Sequence, residues 1–460
     1  MSYGIYVGKH LTEDGSVFLA GYGDEPSSHW LEIIPEREHP EGATIQVGAT
    51  EAARYPGELI EIPQVAKTAA YITMNYSSYA GYVAPITNGG LNAYEVAARD
   101  IWSPSREELR KMTPNPQHGP QYSDLSRIVM ERARSAREAV EIVGELIDEY
   151  GYSTYGGNSH LFADREEGWI LIDFAGGAGL WIAERLGPDD IRVSRPGYIG
   201  EIPLDYQASS DFMGSANFIS FAEEQGWFDR ESGDPFNVNK IYGDGRMRLE
   251  AVEIVEGRLA DLKGRIGLVD VMAEVRADEV MKDSAGYGQV AHLREEANSE
   301  LTTLWVAATT PVAAPFIPYR LGVTEAPPEF GKHRYLTEGE NFKYVDPEFQ
   351  GIESTHYACR LGKRLYYLML EHREVFYEEV VETFRGFESG LIAREDSVKR
   401  TAATLFESDQ ADLAREYLTY YSKSEAMNGL RLVEALAEGI EARTKALFGI
   451  RLPKDANAQD

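Results

Sequence analysis

The chain opens MSYGIYVGKHLTEDGSVFLAGYGDE, placing a serine second, directly ahead of alternating strand-like sequence. A serine hydroxyl is a weak nucleophile until a base takes its proton. Met1 stands before a small residue, the setting in which an initiator methionine is usually removed. Ser2 would then carry its own base, an α-amine with an ordinary pKa of about 7.7–8.0. Such an amine is partly neutral near neutral pH, so it can accept the hydroxyl proton and later return it. Serine is common at second positions. The pairing gains weight here because a strand begins at once and fixes the terminus within the fold.

Several elements must hold that unit in place. Tyr3, Ile5 and Val7 alternate with residues of the other face, which predicts a first strand. Asp14-Gly15 tolerates the backbone of a tight turn, and SVFLAGY returns as a second strand. Residues 103–150 read as helical, with Ser103 and Pro104 at a helix start and Ser135 with Glu138 as a capping box. Ala139, Ile142, Val143, Leu146 and Ile147 form one apolar stripe that Gly151 ends. SHLFAD, GWILIDF and GLWIAERL then read as three strands. A loop is expected over 324–343, and a strongly helical tail begins near 355. The expected order is strands, helices, strands and a helical tail.

Composition narrows the function. The 460 residues carry 45 Lys plus Arg against 75 Asp plus Glu, a net charge of −30. Such a surface repels nucleic acid and anionic membranes, so neither is expected as a partner. The single cysteine, Cys359, excludes an intrachain disulfide framework and a cysteine-based zinc site, and it reads as a buried packing residue. The start lacks an apolar signal region, and the longest apolar stretch, LWVAATTPVAAPFI, carries two prolines and threonines. A cytoplasmic location is expected. No G-x-S-x-G, H-E-x-x-H or P-loop pattern occurs, and no histidines show metal-ligand spacing on a helix. AGGAGLW lacks the third glycine and the helix of a dinucleotide loop. No metal and no cofactor are expected.

SYGIYVGKHLTEDGSVFLAGYGDE resembles the N-terminal stretch of the dipeptidase A family, N-terminal-nucleophile (Ntn) hydrolases related to penicillin V acylase and bile-salt hydrolase. NGGLNAYEVAARD, SAREAVEIVGELIDEYGYSTYGGNSHLFADREEGWILID, DPFNVNKIYGDGRMR and LWVAATTPVAAPFIPY resemble further blocks of that family, in the same order. The resemblance covers roughly residues 2–320. It implies an α+β fold, an αββα sandwich of two antiparallel sheets between helix layers. An Ntn core would span 2–325, and a helical region over 355–450 would pack on it or form an oligomer interface. A homo-oligomer is expected.

The resemblance also implies roles for residues. Ser2 takes the place of the family's usual cysteine nucleophile. Asp24 would orient the α-amine, with a turn-forming role as the alternative. The family's arginine position falls on Gly21, and Arg99 would restore the missing positive charge unless it forms a surface ion pair. Asn158 would donate its amide to the oxyanion, or else form an Asx-turn. Arg246 or Arg248 would contact substrate, with no choice between them. The activity implied is cleavage of the amide bond in a dipeptide or small N-acyl amino acid through an acyl-Ser2 intermediate. Acyl transfer to a second amine and a catalytically silent scaffold that binds a small peptide are the other readings.

Overall fold

The first hairpin is built as its pattern requires. Asp14 accepts the Ser16 backbone N–H at 3.1 Å, closing the turn between β1 (Tyr3–Val7) and β2 (Val17–Asp24). The computed structural model describes residues 2–24, 29–76, 81–83, 86–245, 248–282, 284–332 and 356–449. The chain continues through β3 (His29–Ile34), β4 (Tyr71–Tyr76), β5 (Gly89–Asn92) and β6 (Ala97–Trp102). Helices α1 (Tyr122–Arg132) and α2 (Ala136–Tyr150) follow. A meander of β7 (Asn158–Ala163), β8 (Gly168–Asp173) and β9 (Trp181–Leu186) leads to β10 (Ile191–Ser194) and β11 (Phe212–Gly214). Next come α3 (Glu250–Asp261), α4 (Leu268–Val275), β12 (Ala285–Leu293), β13 (Thr303–Ala307) and β14 (Ile317–Arg320). The tail holds α5 (Ala358–Glu371), α6 (Arg373–Ile392), α7 (Glu395–Glu407) and α8 (Ala411–Phe448).

Among the described residues the strands form two large antiparallel sheets. The first runs β10-β1-β2-β12-β13-β14, and the second runs β11-β9-β8-β7-β6-β5-β4-β3. The sheets face each other. A side chain built onto Gly4 of β1 would meet Ile101 of β6 at 2.6 Å and Leu161 of β7 at 3.3 Å. α1 and α2 cover the outer face of the second sheet, and α3 and α4 cover the first. The result is an αββα sandwich, built by burying both faces of each sheet.

Local signals acted unevenly. Ser135 caps α2 by accepting the Glu138 N–H at 3.1 Å. The Glu138 carboxylate turns instead to the Arg134 N–H at 2.7 Å, so the reciprocal half of a capping box is not made. Gly151, at φ +85°, ends the helix where a side chain would be strained. Ser103 is a correction. Its hydroxyl donates to the Gly197 carbonyl at 3.0 Å, and the next helix begins at Glu107 after Arg106. The residue ties β6 to the chain beyond β10 rather than capping a helix. The expected loop over 324–343 falls largely outside the described residues.

The tail packs on the first sheet. Arg276, just beyond α4, pairs with Glu388 of α6 with Nη1 2.8 Å from Oε2, and both are buried. Glu388 also accepts the Phe316 N–H at 2.7 Å. Arg320 of β14 pairs with Glu395 of α7, and Ser422 of α8 donates to the Pro318 carbonyl at 2.8 Å.

Gly21 sets the closeness of β1 and β2. It lies opposite Gly4 with φ +145°, and a Cβ there would sit 1.9 Å from the Tyr3 carbonyl oxygen. No side chain fits that backbone, an arginine included. Gly21→Ala should therefore cost about 3 kcal/mol or more of stability, or prevent folding. Urea denaturation measures it, and a change below about 0.5 kcal/mol would show that the strands can part without loss.

Candidate active site

β1 is an interior strand, paired with β10 on one side and β2 on the other. Its register fixes where Ser2 lies. Tyr3 faces Tyr22, so Ser2 falls next to Gly23 at the start of the strand. Side chains alternate, so Ser2 shares the face of Gly4, the face turned toward the second sheet. Ser2 is buried, and its hydroxyl oxygen accepts the Asp24 backbone N–H at 3.3 Å. The Asp24 carboxylate accepts the Ser284 hydroxyl, which ties the end of β2 to the start of β12. Ser2 and Asp24 are thus brought together by the hairpin that the sequence pattern predicts.

Arg99 sits on β6 opposite Leu161, hence on the face directed at the first sheet. It is fully buried, which removes the surface ion pair as an account of it. Its Nη1 donates to the Tyr287 hydroxyl at 3.2 Å, and the guanidinium lies 5.3 Å from the Tyr287 ring centroid. Tyr287 belongs to β12 and pairs with Gly23. The Arg99–Tyr287 contact therefore bridges the two sheets, and Ser2 and Tyr287 flank Gly23 from opposite sides.

Asn158 is the first residue of β7 and is wholly buried. Its Oδ1 accepts the Tyr155 hydroxyl at 2.9 Å, while its Nδ2 has no hydrogen-bond partner. Strand alternation sets it on the α1 side of the sheet, where Tyr155 packs on Tyr122 with ring centroids 4.9 Å apart. It nevertheless lies at the same end of the sandwich as Ser2. The neighbouring Ser159 would touch any side chain at Gly197, which follows the β10 strand that pairs with Gly4. Burial pushes the Tyr155 hydroxyl well above its ordinary pKa, with Asp100 adding to the effect.

Arg248 makes a two-pronged ion pair with Glu256 of α3, at 2.8 Å through Nη1, and its Nη2 donates to the Val193 carbonyl at 2.7 Å. These bonds hold it to the outer helix layer. Arg246 lies outside the described residues. Among the described residues, no group of three or more His, Cys, Asp or Glu is placed to hold a metal ion. No described helix is long and apolar enough to cross a membrane.

Four residues near the site had no legible signal in the sequence. Tyr287 and Ser284 carried nothing beyond strand propensity. Arg195 is a buried guanidinium donating to the Tyr22 hydroxyl at 2.6 Å, on the opposite face of β1 from Ser2. His29 packs 5.4 Å from Tyr287, and its imidazole is a neighbour of the Cys359 thiol of α5. Burial opposes ionisation of that thiol, but the neighbouring His29, with Lys363 beyond, leaves its pKa below the ordinary value.

The model of "Peptidase family C69" matches residues 4–250. Among curated proteins, "Probable dipeptidase A" of Streptococcus pyogenes serotype M3 (strain SSI-1) is 31% identical over 123 residues, covering 27% of this chain and 25% of the relative. "Probable dipeptidase B" of Lactococcus lactis subsp. lactis (strain IL1403) is 39% identical over 105 residues, covering 22% of this chain and 21% of the relative. The match thus spans about a quarter of the length of these curated relatives. Among solved structures, a mutant conjugated bile acid hydrolase from Clostridium perfringens aligns with a TM-score of 0.33 at 13% identity, covering 70% of this chain and 92% of that one.

Proposed function

Because the chain belongs to peptidase family C69, we propose that it is an N-terminal-nucleophile amidohydrolase that cleaves a dipeptide or small N-acyl amino acid at Ser2. The observation that carries the reading is the position of Ser2. Its hydroxyl is buried at the start of an interior strand, turned toward the opposing sheet and held beside Asp24.

The chemistry follows from that placement on a chain that has lost Met1. The Ser2 amine takes the hydroxyl proton as Oγ attacks the substrate carbonyl. The tetrahedral oxyanion needs donors; the Asn158 amide nitrogen is a buried donor without a protein acceptor at the same end of the sandwich, and in this role it must turn past the strand end from the α1 side toward the layer that holds Ser2. The amine then passes its proton to the leaving nitrogen, the C–N bond breaks, and an acyl ester remains on Ser2. Water, deprotonated by the same amine, attacks the ester and releases the acid. Asp24 orients the amine, and Ser284 holds the Asp24 carboxylate. A serine needs more from its base than a thiol does, which makes this orientation more demanding here than in a cysteine enzyme.

The first test joins intact mass with turnover. Removal of Met1 and an acyl adduct on Ser2 from an activated amide are expected, with turnover abolished in Ser2→Ala. Cys359→Ala should keep its turnover. Retained Met1 with no turnover would leave a peptide-binding scaffold, and loss in Cys359→Ala alone would move the nucleophile to α5. Product analysis with added amines separates hydrolysis from acyl transfer.

The second test concerns Asn158. Asn158→Ala should lower kcat about 100-fold or more with little change in KM. A loss of stability of about 1–3 kcal/mol in urea with kcat retained would instead confine Asn158 to supporting Tyr155.

A further inference from the structure

Arg99 presents a buried positive charge with no opposite charge beside it among the described residues. Among the described residues no carboxylate lies within ion-pairing distance of it, and its surroundings are those of the sandwich interior. An ionised group in such a place is costly unless it is paired and hydrogen-bonded. One nitrogen, Nη1, is satisfied by the Tyr287 hydroxyl at 3.2 Å. The two without partners are Nε and Nη2. Those two lie along one edge of the planar guanidinium, with their N–H bonds parallel. That edge matches the two oxygens of a carboxylate and is the form in which arginine binds one most strongly.

Its place relative to Ser2 is also defined. Ser2 and Tyr287 stand on either side of Gly23, two strand spacings apart. With strands about 4.8 Å apart, their backbones are separated by about 10 Å. A dipeptide spans about 7 Å when extended. Side chains of Ser2, Tyr287 and Arg99 all enter the same inter-sheet layer, so a ligand of that length reaches from the hydroxyl to the guanidinium edge.

We propose that Arg99, held by Tyr287, is the receptor for the free carboxylate of the substrate, and so selects substrates whose C-terminus lies one residue beyond the scissile bond. The proposal rests on the amidohydrolase reading for the identity of the ligand. It assigns Arg99 to binding, not to replacing an arginine at position 21 beside the nucleophile. Tyr287 is a positioning residue: it occupies the third nitrogen and leaves the bidentate edge directed at the substrate.

The test measures binding apart from turnover. Calorimetry on Ser2→Ala would use Ala-Ala, Ala-Leu and Ala-Glu, each as the free acid and as the C-terminal amide. At least one free acid is expected to bind about 100-fold more tightly than its amide, as two charge-assisted hydrogen bonds imply. In Ser2→Ala with Arg99→Met that difference should fall below about 3-fold. With Tyr287→Phe it should shrink while remaining measurable. Inorganic phosphate should not displace the dipeptide acid at equal concentration. Equal binding of acid and amide, a preference that survives Arg99→Met, or displacement by phosphate would each overturn the proposal, as would no binding by any free acid.

Thermal unfolding supplies a second readout. Without ligand, Arg99→Met should raise Tm by about 2–4 °C, because it removes an unpaired buried charge of similar volume. A fall in Tm would mean that the guanidinium is already satisfied by the fold, and the receptor is lost with it. Selective acid binding in Ser2→Ala alongside no turnover in the unmodified protein would defeat the amidohydrolase reading and leave the receptor standing.

Discussion

The contact on which the rest depends is the near-touching of two backbones, β1 at Gly4 and β2 at Gly21. A Cβ at Gly21 would lie 1.9 Å from the Tyr3 carbonyl, so the two strands approach as only glycine allows. That approach has consequences at both ends of β1. It locks the start of the chain into an interior strand with neighbours on both sides, and it clears the inter-sheet face in front of Gly4 for Ile101 and Leu161. A nucleophile on a fraying terminus would be a statistical average of positions. Here Ser2 lies one residue before a fully paired strand, and the Asp24 N–H directed at its oxygen belongs to the strand that pairs with it.

The same glycine bears on the charge of the site. A side chain at position 21 would face the inter-sheet layer, and none can be accommodated on this backbone. Positive charge in that layer therefore comes from the other sheet, from Arg99 on β6, and reaches the first sheet through Tyr287. Moving the charge across the layer changes what it can do. Beside the nucleophile it would act on the amine and the oxyanion. Two strands away, in the role proposed above, its unpartnered edge would meet the part of a ligand beyond the bond being broken.

Much of the frame was legible because it rests on local rules. The alternation of Tyr3, Ile5 and Val7, the Asp14-Gly15 turn, the stripe on α2 and its Ser135 and Gly151 ends all respond to neighbours a few residues away. Where tertiary contact overrode local preference, the pattern misled. Ser103 looks like a helix start but is spent on the Gly197 carbonyl, ninety-four residues away in sequence. Of the site, Ser2 and Asp24 were legible through one hairpin. Arg99 could be named from its place in a family pattern, yet its burial could not, because an arginine in VAARD carries no sign of which sheet will cover it. Tyr287 was invisible for the same reason: its partner comes from β6, and nothing local links the two. Arg248 had the right type and neighbourhood, but Glu256, eight residues on, claims it for α3.

The net charge of −30 then constrains which carboxylates can arrive. An acidic surface repels an anion at long range, but beyond a Debye length of about 8 Å at physiological salt that field is largely screened. A zwitterionic dipeptide carries no net charge and experiences little of it. Inside the sandwich the balance reverses, because screening is weak there and the Arg99 guanidinium lacks a carboxylate of its own among the described residues. Under the proposed receptor role, a ligand with one amine and one carboxylate is treated as neutral outside and is oriented inside, its carboxylate toward Arg99 and its amide toward Ser2. A ligand with additional negative charge gains nothing further at Arg99 and is repelled on approach. In that role the acidic exterior and the interior guanidinium would act together as a filter for small molecules of balanced charge.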